Sequence, residues 1–291
     1  MENIDVLLGG YRGYLAWNKY FSRFSNSSLR FLFLNTPGER FNLYMHPEIF
    51  ESQNCFFLSN QSEVDKYRNS TVALCIGWRF KLYDGYELVY VVHDSLLPEL
   101  RGWNPVVTSL QLGLDQIGLT LFRATDQTDA GPVISQTASK ITYPITIDNA
   151  LNLLAGGYVQ LLDRFLNSFE SIKYLGVPQE QSRVSYSLWR DETDYQIDWK
   201  KSAIDIHRFI LSLSWPYLGA STENNGQIVR VLDAIPIDFD SPILNASPGK
   251  VFALDSDGPT VVCGEGLLKL TSILDSEGKP FHVKRIRTRF F

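Results

Sequence analysis

The chain alternates between short, mainly apolar runs and stretches of glycine, proline and polar residues. Ile4–Leu8, Leu29–Leu34, Cys55–Leu58, Thr71–Ile76, Leu88–Val92 and Ile117–Phe122 are such runs. Bounded by turn residues and rich in β-branched side chains, they read as strands, the continuous ones buried on both faces as in a parallel sheet. Tyr14–Phe24 and Val106–Gly113 are helix-like. Ile141–Ile147 is strand-like around Pro144. Asp148 then stands as an N-cap for a long amphipathic helix, Asn149–Asn167, with Leu151, Leu154, Tyr158, Leu161, Leu162 and Phe165 at core spacing. Strands alternating with helices predict an α/β, Rossmann-like fold with a mostly parallel sheet. Parallel strands deliver their loops to one sheet edge, where open α/β folds hold ligands. His93, ending one run, and Asp129, in the loop after another, are expected to face each other there.

The pattern changes at Gly176-Val-Pro-Gln-Glu-Gln-Ser182, a polar linker. Beyond it come a helical stretch from Ile197 to Leu211 and short strands at Ile228–Leu232, Gly249–Leu254, Thr260–Cys263 and Leu267–Ile273, separated by Gly/Asp turns. This predicts a small β-rich, barrel-like module. Two domains result: residues 1–180, and residues 181–291 with a linking helix. His207, in mid-helix, reads as structural.

The formal charge is −5, with no block of like charges. That argues against nucleic acid bound by bulk electrostatics, which needs a basic face. The basic cluster Lys284–Arg289 reads as a solvated tail. Cys55, Cys75 and Cys263 are far apart and odd in number, as buried free thiols are, and no metal-ligand spacing links them to the four histidines. No metal is expected. With no basic n-region and no long apolar segment before Ile4, the expectation is a cytoplasmic protein without a membrane partner.

Near the N-terminus, a strand, Gly9-Gly10-Tyr11-Arg12-Gly13 and a helix form a phosphate-friendly corner, with Gly10 and Arg12 as candidate substrate contacts. Only two of the three glycines of a dinucleotide fingerprint are present, Leu8 standing in the first place, so a nicotinamide cofactor is disfavoured. Ser95 and Arg101 are further candidate substrate contacts, Arg101 for its bidentate fork.

His93-Asp-Ser-Leu-Leu-Pro-Glu-Leu-Arg-Gly102, followed by Asp129-Ala-Gly-Pro-Val-Ile134, resembles the core signature of the formyltransferases that use a formylated tetrahydrofolate. That family includes methionyl-tRNA formyltransferase, glycinamide ribonucleotide transformylase and the nucleotide-sugar N-formyltransferases. Ile197-Asp-Trp199 and Trp215-Pro-Tyr-Leu-Gly-Ala220 resemble the helix and turn that join the two domains of its longer members, with Leu218 where proline is common. The resemblance implies N10-formyltetrahydrofolate as co-substrate and His93 and Asp129 as catalytic residues. It places Trp78, Arg79 and Phe80 against the folate, with Thr125, Asp126, Thr128 and Asp129 at the pteridine edge.

One position departs. The family carries Asn-x-His, and here Val91 stands two residues before His93. A valine cannot donate to a developing oxyanion, and one such donor is worth about 100- to 1000-fold in turnover. Asn104 is the first candidate substitute and Ser95 the second. The acidic charge and the absence of a basic insertion favour a nucleotide-linked amino sugar as the amine, as in N-formylation for surface glycans such as the lipopolysaccharide O-antigen. The rival readings are methionyl-tRNA formylation, formyltetrahydrofolate hydrolysis, and a non-catalytic folate-binding homologue. A homodimer is compatible with each.

Overall fold

The protein was analysed as a computed structural model, which describes residues 3–23, 28–50, 54–80 and 85–291. Its residues form two compact units: Met1–Thr108, Asp115–Ile141 and Asn149–Trp189 in the first, and Ser109–Leu114, Thr142–Asp148 and Arg190–Phe291 in the second.

The first unit is built on a seven-stranded sheet. Its strands are β1 (Ile4–Gly9), β2 (Leu29–Leu34), β3 (Cys55–Phe57), β4 (Val72–Ile76), β5 (Leu88–His93), β7 (Gln116–Arg123) and β8 (Val133–Lys140). A two-residue β6 (Arg101–Gly102) pairs separately with β9 (Tyr186–Ser187), which keeps residues 181–189 in this unit. The sheet order is β3-β2-β1-β4-β5-β7-β8. From β3 to β5 all pairings are parallel, and β1 and β4 are buried along their whole lengths, as expected of mainly apolar strands inside a parallel sheet. The fold is therefore the mostly parallel, Rossmann-like α/β class that the alternation predicts.

One expected pairing is reversed. β7 runs antiparallel to β5, with His93 opposite Thr120 and Tyr90 opposite Arg123. The loops after β5 and β7 therefore do not leave from one sheet edge. The strand β8, antiparallel to β7, was not legible as an apolar run, because it lies at the sheet edge and alternates half-buried and exposed residues.

Helix α1 (Gly10–Lys19) follows β1, and one-turn helices α2 (Pro47–Phe50) and α3 (Val64–Tyr67) precede β4. The expected helix end at Phe24 lies outside the described residues. After α4 (Pro105–Leu112) comes the long α5 (Ile147–Asn167), which begins two residues early. Asp148 therefore sits in its first turn, where a carboxylate suits the helix dipole, and is not its N-cap. The stretch Ile141–Ile147 forms no strand. All six predicted core residues of α5 are buried. A short α6 (Phe169–Ile172) follows, and Tyr90, fully buried on β5, packs edge-on against Phe165 and Phe169 and donates to the Lys173 carbonyl at 2.5 Å.

The second unit carries an antiparallel five-stranded sheet of β10 (Ala220–Asn224), β11 (Gln227–Ile237), β14 (Leu267–Leu274), β13 (Gly258–Val262) and β12 (Val251–Asp255), in that order. Asn225 (φ 50°) and Gly226 (φ 78°) make the tight hairpin between β10 and β11. The final segment bridges both ends of the sheet, Phe290 to Asn224 and Arg289 to Lys250, which explains the barrel-like pattern. Helix α7 (Ala203–Ser212) is capped by Ser202, whose side chain accepts from the Asp205 amide. It starts later than expected. Ile197 and Trp199 are extended, with Ile197 N–H on the Ser221 carbonyl at 2.8 Å and Trp199 Nε1 on Thr222 Oγ1 at 3.0 Å. His207 is half-buried on α7, and burial lowers its basicity. Among the described residues no helix is long and apolar enough to cross a membrane, and no cluster of residues suits a metal ion.

Candidate active site

The carboxyl ends of β1 and β4 approach so closely that only glycine fits. A Cβ on Gly9 would stand 2.2 Å from the Gly77 carbonyl oxygen. Strand order turns about this point, β2 lying to one side of β1 and β4 to the other, and the divergence leaves a crevice. A cavity of about 390 Å³ opens there. Trp78, Phe80, Val89, Val91 and Phe122 form its apolar wall, and Arg12, His93, Asn104 and Asp129 are among its polar residues.

His93, at the end of β5, is buried, with Nε2 2.9 Å from the Leu100 carbonyl. A carbonyl oxygen only accepts, so Nε2 carries the proton and donates it. Nδ1, on the other side of the ring, faces Asp129 Oδ2 at 3.6 Å. The same carboxylate oxygen accepts the Gly102 N–H at 2.7 Å. Asp129 reaches His93 because the loop after β7 folds back over the strands, and not because both loops share an edge. The turns are tight: Leu100, Asn104 and Asp129 hold φ of 55°, 51° and 51°, and Gly102 holds 98°. Left-handed backbone at non-glycine residues costs about 1–2 kcal/mol each, and such strain gathers at functional sites.

The loop Ser95–Leu100, which includes a cis Leu97–Pro98 bond, is tied to β7 and β8 by a buried polar network. Thr120 Oγ1 donates to the Ser95 carbonyl at 2.6 Å and accepts the Leu97 N–H at 3.0 Å. Gln136 Nε2 reaches the Leu97 carbonyl at 2.8 Å.

The expected folate-side residues Trp78, Arg79, Phe80, Thr125, Asp126, Thr128 and Asp129 all line the cavity. Trp78 Nε1 is buried with no hydrogen-bond partner among the described residues. Arg79 reaches Glu39 at 3.3 Å. Asn104 also lines the cavity, its carbonyl accepting the Thr108 N–H at 3.1 Å in the first turn of α4.

Three of the expected substrate contacts are engaged elsewhere. Gly10 is not among the cavity-lining residues, and the α1 N-terminus beside it is already met by a carboxylate, Tyr11 N–H donating to Glu39 Oε2 at 2.9 Å. Ser95 Oγ donates to the Glu99 carbonyl at 2.7 Å, which excludes it as the substitute amide donor. Arg101 is buried and directs Nε and Nη2 onto Gln179 Oε1 at 3.0 and 2.7 Å, and so is not an open anion clamp. Arg12 does line the cavity, with Nη1 in a buried ion pair to Asp94 Oδ2 at 2.7 Å. This pair and Gln179 were not anticipated. Asp94 is adjacent to His93 in sequence but carries no periodic signal, and Gln179 lies in a stretch that reads as linker.

All three cysteines are free, and burial pushes each thiol up to about 12, so none is a nucleophile at neutral pH.

A mostly parallel, Rossmann-like sheet with an imidazole facing a carboxylate on the wall of a cavity at its crevice defines a class, the open α/β folds that hold a ligand at that place. The comparisons narrow it. Residues 85–155 match the family model described as formyl transferase, and residues 191–290 match its C-terminal domain. The chain belongs to the formyltransferase family. It is 31% identical to the methionyl-tRNA formyltransferase of Brucella anthropi over 193 residues, 66% of this chain and 61% of that protein. The match thus spans about three-fifths of that relative's length. Among solved structures it resembles HypX from Aquifex aeolicus in complex with tetrahydrofolic acid (TM-score 0.64, 17% identity, 93% of this chain and 44% of that one). It also resembles an N-formyltransferase from Helicobacter canadensis in complex with folinic acid and dTDP-3-aminofucose (TM-score 0.61, 13% identity, 93% and 99%). At these identities the structural likeness shows the fold.

Proposed function

We propose that this protein transfers a formyl group from N10-formyltetrahydrofolate to the primary amine of a nucleotide-linked amino sugar. The observation that carries the transferase reading is His93 Nδ1 facing Asp129 Oδ2 at 3.6 Å on the wall of the cavity. The cavity is within the range that takes a ligand of several rings, about 300–1,000 Å³. Its apolar wall and a Trp78 N–H with no partner among the described residues suit a flat heteroaromatic ring with acceptor edges.

Formylfolate supplies an activated formyl carbon. The chain's residues must hold the negative charge that develops on the formyl oxygen and carry a proton from the attacking amine to the departing nitrogen. With Nε2–H tied to Leu100, His93 works through Nδ1. Protonated, it donates to the developing oxyanion; neutral, it takes a proton. Asp129 is the candidate base for the amine proton, directly or through water. Asn104 stands as the amide donor in place of the family's asparagine.

The amino-sugar acceptor is supported by the −5 charge and by the likeness to sugar N-formyltransferases. The sequence relatives support a second acceptor, methionyl-tRNA. Mass spectrometry of nucleotide-linked amino sugars incubated with the protein and N10-formyltetrahydrofolate tests the reading, with His93→Ala and Asp129→Ala alongside. A gain of one formyl group that disappears in both variants is the expected result. No gain with any sugar, together with formylation of charged tRNA that weakens steeply with salt, would reassign the acceptor. Formate release without any amine would mark a hydrolase. Folate binding with no turnover on any acceptor would leave a binding protein.

A further inference from the structure

We propose that Gln179 is a positioning residue that holds the Asp129 carboxylate against His93; the inference rests on the formyl-transfer reading above. Gln179 is 8% exposed. Its Nε2 donates to the carbonyls of Asp129 and Gly131, at 2.7 and 2.8 Å. Its Oε1 accepts from Arg101 Nε and Nη2, at 3.0 and 2.7 Å. The amide's orientation is fixed by its partners, since a guanidinium only donates and carbonyls only accept.

These bonds close a ring. The Arg101 side chain grips Gln179, and Gln179 grips the backbone of Asp129. The Asp129 side chain returns to the N–H of Gly102, the residue after Arg101, at 2.7 Å. The two loops that carry the site are thereby locked to each other through one amide. Gln179 is itself anchored two residues upstream, where Val177 and Val133 exchange backbone hydrogen bonds of 2.8 Å. The lock matters because Asp129 sits at φ 51°, a conformation that its surroundings must impose. Misplacing a catalytic group by about 1 Å costs on the order of 100-fold.

Gln179→Glu separates this role from plain packing. The carboxylate still accepts from Arg101, now as a charge-assisted pair, but cannot donate to the two carbonyls. The expected result is a kcat about 10- to 100-fold lower with the formylfolate KM within about threefold. Hydrogen exchange at the Gly102 amide should be at least about tenfold faster, while the Arg101 and Trp103 amides, bonded to Ser185 and Ser187, keep their rates. An unchanged kcat overturns the proposal, as does an unchanged Gly102 or equal acceleration of all three amides. If the wild type formylates no amine, the transferase reading falls, and the exchange pattern alone decides whether Gln179 holds Asp129. If Gln179→Glu does not fold, Gln179→Asn is read by the same measurements, being too short to reach both ends at once.

Discussion

On the formyl-transfer proposal, Val91 and Asn104 are the two positions that bear most on how the site stabilises an oxyanion. Val91 is half-buried on the interior strand β5, paired with Cys75 on β4 and Phe122 on β7, and it lines the same cavity as Asn104. If the Asn104 amide supplies the missing donor, deleting it should lower turnover by about 100- to 1000-fold, or about 2.7–4 kcal/mol. Alanine is a poor choice, because Asn104 holds φ 51° and alanine lacks the short polar side chain that lets asparagine tolerate left-handed backbone. Asn104→Gly removes the amide without backbone strain. Val91→Asn on its own adds a second donor where one already serves. It should leave turnover near the wild-type level and lower stability by about 1–3 kcal/mol, because part of the amide lies against apolar neighbours. In the double variant the new amide should restore at least about tenfold of what Asn104→Gly loses, a coupling that independent sites do not show. Single-turnover formylation, with His93→Ala as the floor, reads the chemistry, and thermal melts read the stability. Turnover by Asn104→Gly within a few-fold of wild type would refute the assignment. A double variant no better than Asn104→Gly would show that the two positions do not serve the same oxygen.

Other perturbations have equally definite expectations. Asp129→Asn keeps an acceptor for Gly102 and tolerates the left-handed backbone, so folate binding should survive while kcat falls about 100-fold or more; equal loss of both would point to a structural role. Arg12→Met leaves the Asp94 carboxylate buried without its cation and should cost about 3–5 kcal/mol in denaturant titrations, whereas Arg12→Met with Asp94→Leu should recover most of it. Asp5 is fully buried, and burial raises its carboxyl above the usual 3.8, against hydrogen bonds from the Asn69 amide and the Tyr86 hydroxyl. The folded chain therefore binds this proton more readily than the unfolded one, and stability declines as pH rises from 3.8 through the folded value. Asp5→Asn should accordingly gain in melting temperature over wild type at neutral pH and lose that gain toward acid; a pH-independent difference would sink the idea. Thiol reagents should label Cys75 and Cys263 only on unfolding, since both are buried with raised thiols.

The parallel half of the sheet was legible because its strands are mainly apolar runs, the central β1 and β4 buried along their whole lengths. The antiparallel half was not. Nothing in Ile117–Phe122 states its direction, and β8 hides its strand character in an edge pattern of half-buried and exposed residues. The α5 core face was visible for the usual reason, apolar residues at helical spacing. Ile197 and Trp199 misled because the helix there was expected from the resemblance, whereas buried residues two apart suit the extended segment that Thr222 pins. Within the site, His93 and Asp129 were recoverable from a motif, and so were the cavity-lining loops. The supports were not. Gln179, Gln136 and Thr120 act through hydrogen bonds between segments distant in sequence, and those leave no periodic trace.

This division bears on Ser95 and Arg101, which look like substrate contacts in the sequence and are bonded to protein groups in the structure. A polar residue beside a catalytic histidine can face the substrate or hold the loop that carries the histidine, and residue type does not separate the two. Here the loop from His93 to Gly102 turns through left-handed backbone at Leu100 and Gly102, and its carbonyls and amides must be met internally. Ser95 meets the Glu99 carbonyl, Thr120 meets Ser95 and Leu97, and Arg101 is drawn to Gln179. The polar side chains left facing the cavity beside His93 include Arg12, Asn104 and Asp129, and the Arg12 guanidinium is paired to Asp94. On the formyl-transfer proposal, with an apolar Val91 at the usual amide position, Asn104 and His93 are the proposed oxyanion donors, which is why the Asn104 variants are the most direct test of the chemistry.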